Sequence, residues 1–275
     1  MSEAANTTGD VAATRERTVP EDAGREAFGR IGIIVAVHLA ALAAWQILVD
    51  ILDVPEFILP SPLSTFSTLL QPQYGWVSNS LVTTAEIFGG YLLGLVAGVG
   101  LALLFSWSRL LTLALLPLFV TLNMIPKVAL GPLFIVWFSY GIGPNILIAF
   151  SICFFPILLT TARGLKEVEP DLLDLVRSLK GSRWQVFTKI QLPGSLPYIF
   201  SGMKVAAILA VAGAVVGEFI ASDKGLGYLM IQVQMSLDTA AMFMAVILLT
   251  MIGVALYLLV LVLEHLCVVK DARVQ

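Results

Sequence analysis

RGLKEVEPDLLDLVRSLKGSRWQVFTKIQLPGSLP, residues Arg163 to Pro197, is a polar and basic island between long apolar runs. Pro170 can open a helix, because its missing N–H would be an orphan there anyway, and Glu167, Glu169 and Asp171 suit the positive end of the helix dipole. Leu172, Leu175, Val176 and Leu179 then recur at helical spacing, which predicts an apolar stripe on a helix of about two and a half turns. Lys180-Gly181-Ser182 stops that helix. Gly181 is the residue expected to take the left-handed geometry of the helix end. Ser182 is placed to cap a second short helix, Arg183 to Gln191, which Pro193 terminates. A helix this short is marginal in water, so its apolar stripe needs a partner, either the chain's own spans or another subunit.

The surroundings of the island set the fold class. Of 275 residues, 58% are hydrophobic and only 13% charged, with a mean hydropathy of +0.92, well outside the range of ordinary soluble domains. The expectation is an all-α integral membrane protein. A bilayer core of about 30 Å needs roughly 20 apolar residues per helix, which predicts six spans: 31–52, 80–105, 110–125, 144–162, 199–220 and 242–264. Between the third and fourth, Pro126-Lys-Val-Ala-Leu-Gly-Pro132 to Gly141-Ile-Gly-Pro144 is apolar but punctuated by Gly and Pro. Such a segment should be an interrupted helix or be packed inside protein, because broken backbone at membrane depth is tolerated only there.

Charge placement orients these spans. All but two of the 16 basic residues fall on one side of the six-span arrangement, the exceptions being Lys127 and Lys224, and basic flanks stay cytoplasmic. Both termini and the island are therefore expected on the cytoplasmic side of the cell membrane, where the cations also favour anionic lipid headgroups. Residues 1–30 read as a disordered cytoplasmic arm, 31–265 as the membrane domain with a cytoplasmic loop at 163–197, and 266–275 as a tail. The arm carries six acidic residues and no small-residue cleavage site follows the first span, so that span is expected to be an uncleaved anchor. Cys153 lies in a span and Cys267 on its flank, which predicts no disulfide framework.

The island resembles the conserved cytoplasmic loop of ABC importer permeases, the Glu-Ala-Ala motif. Asp174, Leu175 and Val176 stand at the three named positions, and Ile190, Leu192 and Pro193 match the Ile-x-Leu-Pro end with the nine-residue gap intact. The motif glycine falls on Lys180, while this chain's glycine is Gly181, which implies a turn shifted by one residue. Leu59-Pro-Ser-Pro62, Ile125 to Leu133 with Trp137-Phe138, and Gly225-Leu-Gly-Tyr228 resemble the nitrate, sulfonate, taurine and pyrimidine-precursor branch, so that the likeness covers about residues 55–265.

This resemblance implies a type I importer fold with two permease subunits, most simply a homodimer, two ATPase subunits and an extracytoplasmic substrate-binding protein. It implies that Asp174, Leu175, Val176, Arg177, Lys180, Gly181, Ser182, Ile190, Leu192 and Pro193 form the ATPase-coupling elbow. ATP and Mg would be bound by the partner ATPase. In agreement, the chain contains no Gly-x4-Gly-Lys-Ser/Thr phosphate loop. It is expected to be a transport subunit and not an enzyme, with no cofactor of its own and no nucleic-acid partner.

Other residues carry a structural and a functional reading side by side. Gly90, Gly94 and Gly98 lie four residues apart and suit close helix packing, with a moving interface as the alternative. Glu218, roughly 24 Å along the fifth span from Gly202, is either an interfacial acid reaching water or a gate; Glu86 is either bonded to a neighbouring helix end or in the pathway. Lys127 is a candidate for an anionic substrate or a snorkelling cation. Trp137, Phe138 and Tyr140 suit a stacked ring or an interfacial aromatic belt. His38 has no acidic or Cys neighbour at metal-ligand spacing and His265 follows Glu264 at a span end, so each reads as a satisfied or interfacial histidine, and no catalytic constellation emerges. A secondary transporter or channel independent of an ATPase is the rival reading; it would carry broken elements in matching positions of two repeats, and only one broken segment is visible.

Overall fold

Long apolar runs dictate long helices, and the computed structural model, which describes residues 22–167 and 170–268, contains only helical elements among them. Two units divide the chain, Met1–Asp53 and Val54–Gln275. The first contributes α1, Asp22–Ile51. Its start corrects the boundary of the expected arm: Asp22 to Arg30 are helical, while residues 1–21 lie outside those described.

The second unit opens with a short helix, α2, Pro62–Ser67, whose cap explains the Leu59-Pro-Ser-Pro62 string. Ser61 accepts a hydrogen bond from the Ser64 N–H at 3.1 Å, and Pro62 occupies the first turn, where no N–H is needed. Then follow α3, Trp76–Trp107, and α4, Arg109–Asn123. A 3-10 turn, Lys127–Leu130, leads into α5, Gly131–Phe138. The chain continues through α6, Ile142–Gly164; α7, Pro170–Ser178; α8, Arg183–Val186; α9, Leu192–Ala221; α10, Leu226–Met235; and α11, Thr239–Cys267.

Five helices are long and apolar enough to cross a membrane, and the α4–α5 pair, bent by 88°, makes a sixth if taken as one span. At 15 residues, α4 rises only about 22 Å, so the third span is not a complete crossing by itself. Its interruption matches the Gly/Pro-broken expectation. Ser139 at φ +65° and Gly141 at φ +130° form the break before α6.

The centre of this unit is α6. Its apolar window is 56% buried, against 17% for α11, and it packs chiefly on α3 and α9. Between two apolar helices in lipid no hydrophobic effect drives contact, so close approach depends on small residues. A Cβ on Gly90 would lie 2.5 Å from Ala149 Cβ, one on Gly94 3.1 Å from Cys153 Cβ, and one on Gly98 3.1 Å from Ile157 Cβ. All three glycines thus face α6 with no free room for a Cβ. α9 approaches α6 in the same way, through Gly213, whose Cβ would stand 2.7 Å from Ala149 Cα, and through Gly202 and Gly217. Lys204 of α9 pairs with Glu264 of α11 at 3.1 Å, tying those two helices together.

Candidate functional site

The island folds as an elbow. α7 ends in a Schellman-type closure: Leu179 N–H donates to Leu175 O at 3.1 Å and Gly181 N–H to Val176 O at 2.9 Å. Lys180 is the left-handed residue, at φ +55°, and Gly181 is not. The bend thus occurs at the position of the motif glycine, with a lysine adopting it. The expected one-residue shift of the turn is corrected. Gly181 is needed for a different reason: a Cβ there would lie 2.3 Å from Val176 Cγ1 and 3.1 Å from Val176 O.

Ser182 caps α8 through a complete capping box. Its hydroxyl accepts from Gln185 N–H at 3.3 Å, and the Gln185 side chain accepts from Ser182 N–H at 2.8 Å. The second short helix does not end at Pro193 as expected. A π-helical turn, Phe187–Gln191, carries α8 directly into α9, with Leu192 N–H bonded to Phe187 O. Pro193 lies in the first turn of α9, where the extra residue of the π turn accommodates its missing donor.

Trp107, the last residue of α3, braces the elbow. Its ring meets Trp184 edge-on at 5.9 Å and Phe187 edge-on at 5.6 Å. Phe187 is buried with Phe105, Leu158, Ala162 and Leu165, and Leu192 packs against the same cluster. Sequence reasoning missed Trp107, Trp184 and Phe187; aromatic residues at the head of α8 and just before a basic residue at the end of α3 were the available signal. A cleft of about 690 Å³ lined by Trp107, Gly181, Arg183 and Trp184 opens beside the bend. The apolar stripe of α7 faces outward, with Leu175 55% and Leu179 73% exposed and Leu172 also exposed. Asp174 is exposed, Ile190 half-buried and Pro193 exposed; the Arg177 side chain lies outside those described.

A second polar cluster lies deep in the unit. Glu218 is only 1% exposed, which corrects the reading of it as an interfacial acid reaching water. Its carboxylate accepts from Thr83 Oγ1 at 2.5 Å, from the Gly227 N–H, and from Tyr228 N–H at 3.4 Å. It thereby caps the N-terminus of α10, where free N–H groups and the dipole favour a negative group. Leu226 N–H donates to Thr83 Oγ1 at 2.8 Å and Gly225 N–H to Asn79 Oδ1 at 2.9 Å. Gly225, at φ +110°, and Gly227 are glycines because Cβ atoms there would lie 2.3 Å and 2.7 Å from the Glu218 carboxylate.

The Glu86 and Glu218 carboxyl groups lie within reach of one another. Asn145 Nδ2, in the first turn of α6, donates to Glu86 Oε1 at 2.8 Å. Glu86 Oε2 and Asn145 Oδ1 find no hydrogen-bond partner among the described residues. The helix-end bond expected for Glu86 is present, and α3, α6, α9 and α10 meet in one polar knot.

The remaining candidates do not join either cluster. Lys127 Nζ donates to Asn123 O and, at 2.7 Å, to Asn123 Oδ1, and lies 4.9 Å from the Phe155 ring centre. It satisfies a carbonyl freed at the end of α4. Trp137 is 64% exposed and meets Phe134 edge-on at 6.0 Å.

Residues 90–267 match the family described as binding-protein-dependent transport system inner membrane component. The chain belongs to this family. It is an ABC permease subunit with a type I importer fold. It is 36% identical to a probable ABC transporter permease of Haemophilus influenzae over 78% of this chain and 88% of that one. It is also 34% identical to the riboflavin transport system permease protein RibX of Chloroflexus aurantiacus, over 88% and 91% of the two chains. A solved structure of the MetNI methionine ABC transporter in inward-facing form shares the fold at a TM-score of 0.55 and 20% identity, over 67% of this permease and 94% of that chain. The multi-pass character of the apolar helices fits an inner membrane component.

Proposed function

We propose that this permease, as a homodimer, lines the translocation path of an importer and couples it to ATP hydrolysis by a separate ATPase subunit that binds the ATP and Mg. The observation that carries this reading is the outward apolar stripe of α7, Leu172, Leu175 and Leu179, left uncovered on an elbow that is itself braced by Trp107. Exposed leucines on a helix this short are stable when covered, and a groove on a partner supplies that cover. The elbow and both termini lie on the cytoplasmic side in this reading, with an extracytoplasmic binding protein delivering the solute to the other. No catalytic or metal chemistry is assigned to the chain.

The solute belongs to the small polar class of sulfonates, nitrate, taurine or pyrimidine precursors. Relatives include a formylaminopyrimidine transport permease and an aliphatic sulfonate transport permease. Reconstitution of the permease with its ATPase and binding protein in proteoliposomes tests both parts. One member of the solute set should stimulate ATP hydrolysis. Leu175→Asp should leave membrane insertion intact while abolishing both stimulation and co-purification of the ATPase. Full stimulation in that variant would remove α7 as the coupling element, and solute uptake driven by an ion gradient without ATP would favour a secondary transporter.

A further inference from the structure

The corner where α3 ends and α4 begins borders a second, open cavity, of about 360 Å³, next to the elbow. Two cations line it from different elements: Arg109, first residue of α4, and Lys166, just past the end of α6. Among the described residues neither is in an ion pair; the nearby acid Glu167 is held by Arg163 at 3.1 Å. Positive potential is reinforced by the start of α4, where Ser108 accepts from Leu111 N–H at 3.3 Å and the remaining first-turn N–H groups point toward the same end. Gln191 adds a further polar group to the wall. Phe105, Leu113 and Leu165 form its other side.

Paired cations beside helix N–H groups select a phosphate group. The apolar half of the wall selects what the phosphate is attached to. α4 buries none of its residues, and Leu110 and, from the cavity wall itself, Leu113 are exposed apolar groups on it, so acyl chains have a surface to follow. We infer that this cavity binds the headgroup phosphate of an anionic phospholipid, with Arg109 and Lys166 clasping the phosphate and the acyl chains running along α4. The site needs only that this end of the bundle lie at a bilayer surface, so it stands or falls independently of ATPase coupling.

The test uses the full-length chain purified in neutral detergent and titrated with dioctanoyl phosphatidylglycerol, dioctanoyl phosphatidylcholine and inorganic phosphate, read by native mass spectrometry and thermal shift. One phosphatidylglycerol per chain should be retained, with a rise in Tm that phosphatidylcholine and phosphate do not match. Arg109→Gln/Lys166→Gln should weaken retention roughly tenfold or more. The charge-preserving Arg109→Lys/Lys166→Arg should restore most of it, which separates lost binding from lost folding. Arg183→Gln/Lys189→Gln, an equal loss of charge at residues that do not line the cavity, should bind like the parent chain. Unchanged binding in Arg109→Gln/Lys166→Gln, or an equal loss in Arg183→Gln/Lys189→Gln, overturns the site. Inorganic phosphate matching the lipid overturns its assignment to lipid.

Discussion

Glu218 receives three donors and Glu86 receives one, and that asymmetry separates two acids that look alike in the chain. Glu218→Gln turns part of an acceptor toward backbone N–H groups that need one, leaving buried donors facing a donor; the expected loss is about 2 kcal/mol or more. Glu86→Gln has the opposite logic. Its new amide N–H groups sit among acceptors, the Glu218 carboxyl and the unpartnered Asn145 Oδ1, so stability should fall by less than about 1 kcal/mol or rise. Thermal unfolding of the two variants in one detergent decides the matter, and equal destabilisation would contradict the arrangement. Sequence marked both acids as candidates because ionisable groups are costly in membranes. Which of them caps α10 was not readable, since the partners Thr83, Asn145 and Gly227 are brought together from α3, α6 and α10.

At the scale of the element, the elbow shows what local chemistry can specify. The start of α7 at Pro170, the α8 cap at Ser182 and the α7 stripe follow from residue type and spacing alone, because caps and periodicity are set within a few residues. The turn itself did not follow from the position of the glycine. Gly181 is held by the absence of space beside Val176, and the left-handed conformation passes to Lys180. A non-glycine residue there carries a conformational cost of about 1 kcal/mol. Lys180→Gly should accordingly stabilise the elbow by about that amount, seen as slower amide hydrogen exchange over residues 175–182, while Lys180→Gln should not. If both variants slow exchange alike, charge and not backbone geometry is responsible. Pro193 carries the complementary lesson: a proline read as a terminator is tolerated where a π turn precedes it.

At the scale of the whole molecule, α3, α6 and α9 are held by backbone proximity, with glycines on α3 and α9 set against α6. Gly90→Ala and Gly213→Ala each force a methyl group into main-chain or Cβ contact and should lower Tm, through the ~1–3 kcal/mol stability loss typical of overpacking. Gly100→Ala meets nothing within 4 Å and should raise Tm slightly, because alanine is the better helix former by roughly 1 kcal/mol. A comparable loss at Gly100 would mean that interhelical contact is not what makes Gly90 and Gly213 intolerant of a methyl group. The sequence by itself determined that the chain spans a membrane many times and that a basic elbow interrupts it, because hydropathy, charge and capping act over short stretches of chain. Only the tertiary structure decided that Trp107 braces the elbow, that Lys180 makes its bend and that Glu86, Asn145 and Glu218 share one buried knot. Those outcomes depend on which surfaces of distant helices come within a few ångströms of each other, and apolar helices in lipid choose their partners by shape and not by hydrophobicity.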